Sequence, residues 1–179
     1  MGELLVLESL LSDSDLDPIE LVSAWTGPSG ASQDFQFPGQ CIEVKATGET
    51  GSRSVQISSE FQLDTTELPI VLAVCHLSAT DDPTTGLSLN QAVGRISARL
   101  PQDARQAFES RLATAGYVDI PDYDAPLFHH ASTDCFEVRE GFPRLARHTL
   151  PASISGVRYA LDIAQISEFR IAALPGLSR

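Results

Sequence analysis

Asp34, Glu43 and Lys45 are the residues whose types and spacing could do chemistry. Two carboxylates brought together are hard oxygen ligands of the kind that suits Mg²⁺, which is typically held by one or two carboxylates plus water and substrate phosphate. A cation held that way polarises a phosphate and lowers the pKa of a bound water, giving a hydroxide-like nucleophile near neutral pH. An ammonium beside it can position the water or stabilise charge developing on the phosphorane, an effect of about 10²–10³-fold in rate per donor. The chemistry this trio suits is phosphodiester hydrolysis. Composition adds weight to Lys45. The 12 basic residues are 11 arginines and this single lysine, and the two side chains differ in geometry and hydration.

The segment around the trio alternates with the period of β-strands. Residues 33–37 read Gln-Asp-Phe-Gln-Phe, Pro38-Gly39 turns the chain, and residues 40–46 read Gln-Cys-Ile-Glu-Val-Lys-Ala. A symmetric loop at Pro38-Gly39 pairs positions whose numbers sum to 77, which sets Asp34 across from Glu43. Opposed side chains on one face lie about 4.5–5.5 Å apart at Cβ, and like charges so placed are destabilising without a cation between them. Glu43 and Lys45 share a face, and Ile42 and Val44 take the other. A third alternating run, 53–58, sets Gln56 and Ser58 opposite Val55 and Ile57. The expectation is that the polar faces of all three strands gather in one place. An exposed strand face also carries polar residues, and Glu-x-Lys alone is common there.

Around these strands, a helix is expected over 2–12 with Glu3 in its first turn, and a second opened by Asp17-Pro18 to about Trp25. The apolar run Ile70–Leu77 suits a buried strand. Helices capped by Ser88 to about Leu100 and from Gln102 to Ala115 follow, then a connection over 117–133 and late strands at 135–139 and 156–163.

The chain has 179 residues, 42% hydrophobic and 20% charged, enough for one globular domain spanning 1–179. No apolar stretch approaches 18 residues, so no membrane helix is expected. Three scattered cysteines, Cys41, Cys75 and Cys135, fit neither a disulfide framework nor a zinc knuckle and are expected in a reducing cytoplasm. A net charge of −12 runs against nucleic-acid binding, which draws on neutralised phosphates. Arg95, Arg99, Arg105 and Arg111 on the central helices, with Arg53 and Arg144, are the candidates for phosphate contact; surface solvation is the bland alternative. His129, His130, Asp134 and Cys135 lack zinc-site spacing. His76 reads as a core histidine, and Cys41 has no histidine partner that would make it a nucleophile.

Asp34, then eight residues, then Glu43-Val44-Lys45, behind a helix carrying Glu3, resembles the PD-(D/E)XK nuclease superfamily. It resembles most the bacterial PD-(D/E)XK motif proteins of unknown function, through Gly2-Glu3-Leu4-Leu5, Gln33-Asp34-Phe35, Glu43-Val44-Lys45-Ala46-Thr47, Val55-Gln56-Ile57-Ser58-Ser59, Gly141-Phe142-Pro143-Arg144 and Val157-Arg158-Tyr159. Gln33 stands where the name-giving proline would be. The resemblance implies an α/β fold with a restriction-endonuclease-like αβββαβ core, a central mixed sheet flanked by helices. It implies Mg²⁺ dependence with Mn²⁺ as substitute, DNA as substrate, a homodimer, and a setting among restriction or phage-defence genes with a partner protein. By motif position Asp34, Glu43 and Lys45 are the catalytic set, Glu3 is a further acid reaching the metal, and Gln56 is the polar residue of the third strand. Similar proteins carry a region before the Gly-Glu-Leu-Leu helix, so the chain is expected to lack an N-terminal region. The rival from another class is a catalytically silent interaction subunit of a defence complex, and a third is an acidic decoy surface.

Overall fold

The computed structural model describes residues 1–48 and 54–174. In chain order the elements are α1 (Gly2–Asp13), α2 (Pro18–Ala24), β1 (Phe35–Phe37), β2 (Gln40–Gly48), β3 (Ser54–Ile57), β4 (Ile70–Thr80), α3 (Leu89–Arg99), α4 (Gln102–Thr114), β5 (Leu127–Val138), β6 (Tyr159–Asp162) and β7 (Arg170–Ile171). The helix starts are written in local chemistry. Asp17 and Glu20 form a reciprocal capping box around Pro18, and Ser88 with Gln91 forms another at the head of α3, each satisfying main-chain donors that a helix leaves unpaired.

Among the described residues, five strands make one mixed sheet in the order β1-β2-β4-β5-β7, and β3 pairs with β6 in a separate two-stranded ribbon. The β1–β2 hairpin has the expected register, with Phe35 across from Ile42 and Phe37 across from Gln40. Gly39, at φ 90°, supplies the left-handed turn residue that a side chain would resist. β2 runs parallel to β4, and β4 runs antiparallel to β5. The result is an α/β fold with a central mixed sheet flanked by helices.

Each face of the sheet is covered. Ile42, Val44, Ala73 and Cys75 pack with the four helices in one apolar core. On the other face, Cys41, Ile70, Leu72, Val74 and Phe136 pack with Val55 and Ile57 of β3, Leu161 of β6 and the 3₁₀ stretch Ile163–Phe169. The start of α1 lies close over the first core. A Cβ on Gly2 would sit 3.3 Å from Val44 Cγ1 and 3.8 Å from Cys75 Sγ, so glycine there lets the helix that carries Glu3 approach β2. No helix among the described residues is long and apolar enough to cross a membrane.

Two expectations need correction. β3 does not join the sheet beside β2; alternation marks which side of a strand is apolar, not which neighbour it pairs with. β2 is therefore buried on both sides, with Glu43 under the ribbon side of the sheet. β5 begins at Leu127, well before residue 135, because its polar first half pairs with the part of β4 that runs past the core, where no apolar alternation is required. Arg53 lies outside the described residues.

The ribbon's inner face is core and its outer face is solvent. Ile57→Ala is expected to cost about 2–5 kcal/mol in urea unfolding. Gln56→Ala, one residue away, should change stability by about 0.5 kcal/mol or less. Equal losses at the two positions would refute this placement of the ribbon.

Candidate active site

Asp34 stands one residue before β1, where the hairpin ladder stops. The even-numbered N–H groups of β2 face β1, and past Ile42 the short first strand can no longer pair them. Asp34 takes over: its Oδ2 accepts from the Val44 N–H at 2.7 Å. Its own carbonyl accepts from the N–H groups of Thr26 and Gly27 at 2.8 and 2.9 Å, which anchors the chain bend after α2 against the start of β1. The carboxylate is thereby fixed at the sheet edge beside Glu43.

Glu43 is the most constrained polar group of the site. It is 1% exposed, and its Oε2 has no hydrogen-bond donor. Its one cationic neighbour is Lys45, whose Nζ lies 2.5 Å from Oε1. Lys45 is held in turn by Gln62, whose Oε1 accepts from Nζ at 3.2 Å and from the Ser58 N–H at 2.7 Å. The same-face pairing of Glu43 and Lys45 follows from the two-residue period of the strand.

Burial and mutual repulsion hold protons on these carboxyls. Glu43 is pushed up to about 8, first by burial and then by Asp34, against the opposing pull of Lys45. Asp34 is pushed up to about 6 by burial and by Glu3, against the Val44 N–H and Lys45. The two strongly shifted carboxyls of the described residues therefore sit side by side, a pattern that marks functional sites.

Glu3 reaches the cluster from α1. Its Oε2 accepts from the indole Nε1 of Trp25 at 2.6 Å. A Cβ on Gly27 would fall 2.5 Å from Glu3 Oε2 and 2.9 Å from Asp34 Oδ1. The two carboxylates thus converge on a space that a single methyl group would fill. Gln56 is not part of this group: it is exposed, and its Nε2 donates to the Tyr159 carbonyl at 2.9 Å on the outer side of the ribbon. The place expected for it beside Lys45 is taken by Gln62.

A divalent cation suits these donors. Glu43 offers two buried oxygens, one met only by the Lys45 ammonium and the other without a donor, and Asp34 lies close enough to raise its pKa. Among the described residues, no three His, Cys, Asp or Glu side chains are already gathered as a metal cage. In particular, Glu3 is engaged with Trp25. Two carboxylates with water and phosphate completing the shell remain an ordinary arrangement for Mg²⁺.

The other candidate residues are occupied elsewhere. Arg95 and Arg99 bond Glu8 and Ser12 of α1, Arg105 bonds the carbonyls that end α3, and Arg111 ties α4 to Ser23 and Ser29. They lace the helical layer together. Arg144 bonds Thr65 Oγ1. Asp134 is shared by His76 and Arg170, and His130 meets Thr133. Burial pushes the Cys41 thiol up, against a nucleophilic role. Trp25, Gly27 and Gln62 are the site residues that sequence reasoning missed. The lone tryptophan before Gly27-Pro28 offered a faint signal; Gln62, 17 positions from Lys45, offered none.

A family described as "Putative PD-(D/E)XK family member, (DUF4420)" matches residues 1–164. No curated protein and no solved structure matches the chain significantly.

Gly27→Ala should force Glu3 away from Trp25, costing about 1 kcal/mol for the lost hydrogen bond and shifting the emission of the protein's one tryptophan; unchanged emission would show that the carboxylates do not converge there. The raised pKa values predict a pH effect of definite sign. Folded Glu43 and Asp34 keep protons that the unfolded chain sheds near its ordinary values of 4.5 and 3.8. Their contribution to stability is whole below those values and is lost as pH rises through about 6 for Asp34 and about 8 for Glu43. Glu43→Gln should flatten this fall in urea midpoints between pH 5 and 8; a parallel fall in parent and variant would contradict the shift.

Proposed function

The chain belongs to the PD-(D/E)XK family, and from that premise we propose that it is a divalent-metal-dependent nuclease that hydrolyses phosphodiester bonds of DNA. Asp34 and Glu43 would hold Mg²⁺, or Mn²⁺ in its place, with Glu3 in support. The observation that carries this reading is Glu43, a buried carboxyl beside Asp34 whose Oε1 meets only the Lys45 ammonium and whose Oε2 has no hydrogen-bond donor. A cation bound there supplies charge to polarise the scissile phosphate and to acidify water.

The chain's own residues do the rest. Near neutral pH Glu43, pushed up to about 8, would give up the proton it holds, whereas Asp34, at about 6, is already largely ionised, so cation uptake would be coupled to proton release from Glu43. Lys45 Nζ then faces a carboxylate whose charge the cation shares. Its ammonium, steadied by Gln62, is free to orient water or to stabilise negative charge growing on the phosphate oxygens. Trp25 fixes the Glu3 carboxylate through the indole N–H, which leaves its second oxygen for a water or the cation.

A second reading is favoured by the net charge of −12 and by arginines already bonded within the helical layer. In it the chain keeps the fold and serves as a silent subunit of a cytoplasmic restriction or phage-defence complex, contacting a partner protein or a second copy of itself.

Calorimetry with Mn²⁺ or Mg²⁺ separates the two. Binding with proton release, removed by Asp34→Ala or Glu43→Ala, together with plasmid nicking that falls about 10²–10³-fold in Lys45→Ala, is expected of the nuclease. Metal binding without cleavage of single- or double-stranded DNA would leave the silent subunit.

A further inference from the structure

Beside the carboxylates lies a cleft of about 460 Å³ whose lining includes Glu3, Trp25, Gly27, Pro28, Tyr117 and Tyr123. Gly27, in its lining, is the residue on which Glu3 and Asp34 converge, so an occupant of the cleft lies beside those two carboxylates. Resting on the nuclease reading, we propose that this cleft is a subsite for an unpaired nucleobase of the nucleotide flanking the scissile bond, which makes the substrate single-stranded or locally unpaired nucleic acid.

The lining selects for a flat, neutral ring. No lysine, arginine or histidine side chain is among the residues that line the cleft, so it offers a phosphate no side-chain cation. Tyr117 and Tyr123 stack on each other at 5.8 Å and 19°. The Tyr117 hydroxyl donates to Asn90 Oδ1 at 2.7 Å, and the Asn90 amide donates to the Ile120 carbonyl and to Asp124 Oδ1, both at 2.9 Å. The rings are therefore fixed before any ligand arrives, which lowers the entropy lost on binding. Trp25 is packed against Phe108 at 5.7 Å, and its indole N–H is committed to Glu3. A base inside a duplex has its faces covered by neighbours and would have to leave the stack to reach these rings.

Charge distribution supports the same occupant. Among the described residues, every arginine except Arg158 is bonded to the protein's own side chains or main chain. A chain of net charge −12 with its guanidinium groups so engaged cannot draw affinity from a long phosphate track. Base stacking needs no cation and tolerates any base, since each has a π face.

Trp25 is the only tryptophan, so the intact protein reports on the cleft. In EDTA, where no hydrolysis occurs, its emission should be quenched by dAMP and by a six-nucleotide oligo(dA). Neither 2-deoxyribose 5-phosphate nor the same oligonucleotide in a duplex should do so. Affinity for oligo(dA) should vary little with salt and fall about tenfold in Tyr123→Ala and in Tyr117→Leu. Equal quenching by the base-free sugar phosphate, or tighter binding of duplex, overturns the subsite, as do tyrosine variants that melt like the parent and bind as tightly. Base-dependent binding in a protein that never cleaves with Mg²⁺ would instead leave the subsite standing and remove the nuclease. Cleavage with base-independent binding would do the reverse.

Discussion

Two carboxyl groups held close together in a place with little water must keep protons, gain cations or move apart, and much of this structure is arranged so that Asp34 and Glu43 do not move apart. β2 is covered on one face by helices and on the other by the β3–β6 ribbon, so Glu43 is almost wholly buried. Asp34 is pinned by the Val44 N–H through its side chain and by Thr26 and Gly27 through its carbonyl. Desolvation penalises both anions, and Lys45 offsets only part of that penalty, since Glu43 stays pushed up to about 8 with the ammonium beside it. Such an arrangement destabilises the fold in order to hold a charge-hungry site ready, the exchange of stability for function expected where local rules are broken.

The surroundings read as supports for that one tension. Gly2 allows α1 to lie on β2 and so brings Glu3 within reach, and Trp25 gives the Glu3 carboxylate a fixed donor. Gly27 leaves empty the space between Glu3 and Asp34. Gln62 turns the Lys45 ammonium toward Glu43 by accepting from it while also holding the Ser58 N–H. These are ordinary interactions individually, but each fixes a group that would otherwise have several rotamers, and preorganised charge is worth more than mobile charge. The arginines tell the complementary story: a chain so acidic would offer few cations to a polyanion in any case, and Arg95, Arg99, Arg105 and Arg111 bond within the helical layer.

Much of this was legible before any coordinates. The alternation around Pro38-Gly39 determined a hairpin in which Phe35 meets Ile42 and Asp34 extends toward Glu43, because a short symmetric turn leaves one register. The two-residue period placed Glu43 and Lys45 on one side, and the Asp17-Pro18 and Ser88 caps marked helix starts through chemistry confined to four residues. The family resemblance and the α/β class rested on the same local patterns.

Tertiary structure alone decided what lies on top of Glu43. Alternation in 53–58 separates Val55 and Ile57 from Gln56 equally well whichever sheet the strand joins, so nothing local says that β3 leaves β2 for β6, a strand about a hundred residues later. That choice turns Gln56 to solvent, closes the ribbon over the carboxyl and leaves Gln62 to meet Lys45. Glu3, Trp25 and Asp34 likewise come from three separate elements, and their convergence at Gly27 is a matter of packing distances. Sequence periodicity specifies which way each side chain points from its own strand or helix; burial, and with it the proton affinity of Glu43, exists only once distant segments have excluded the water.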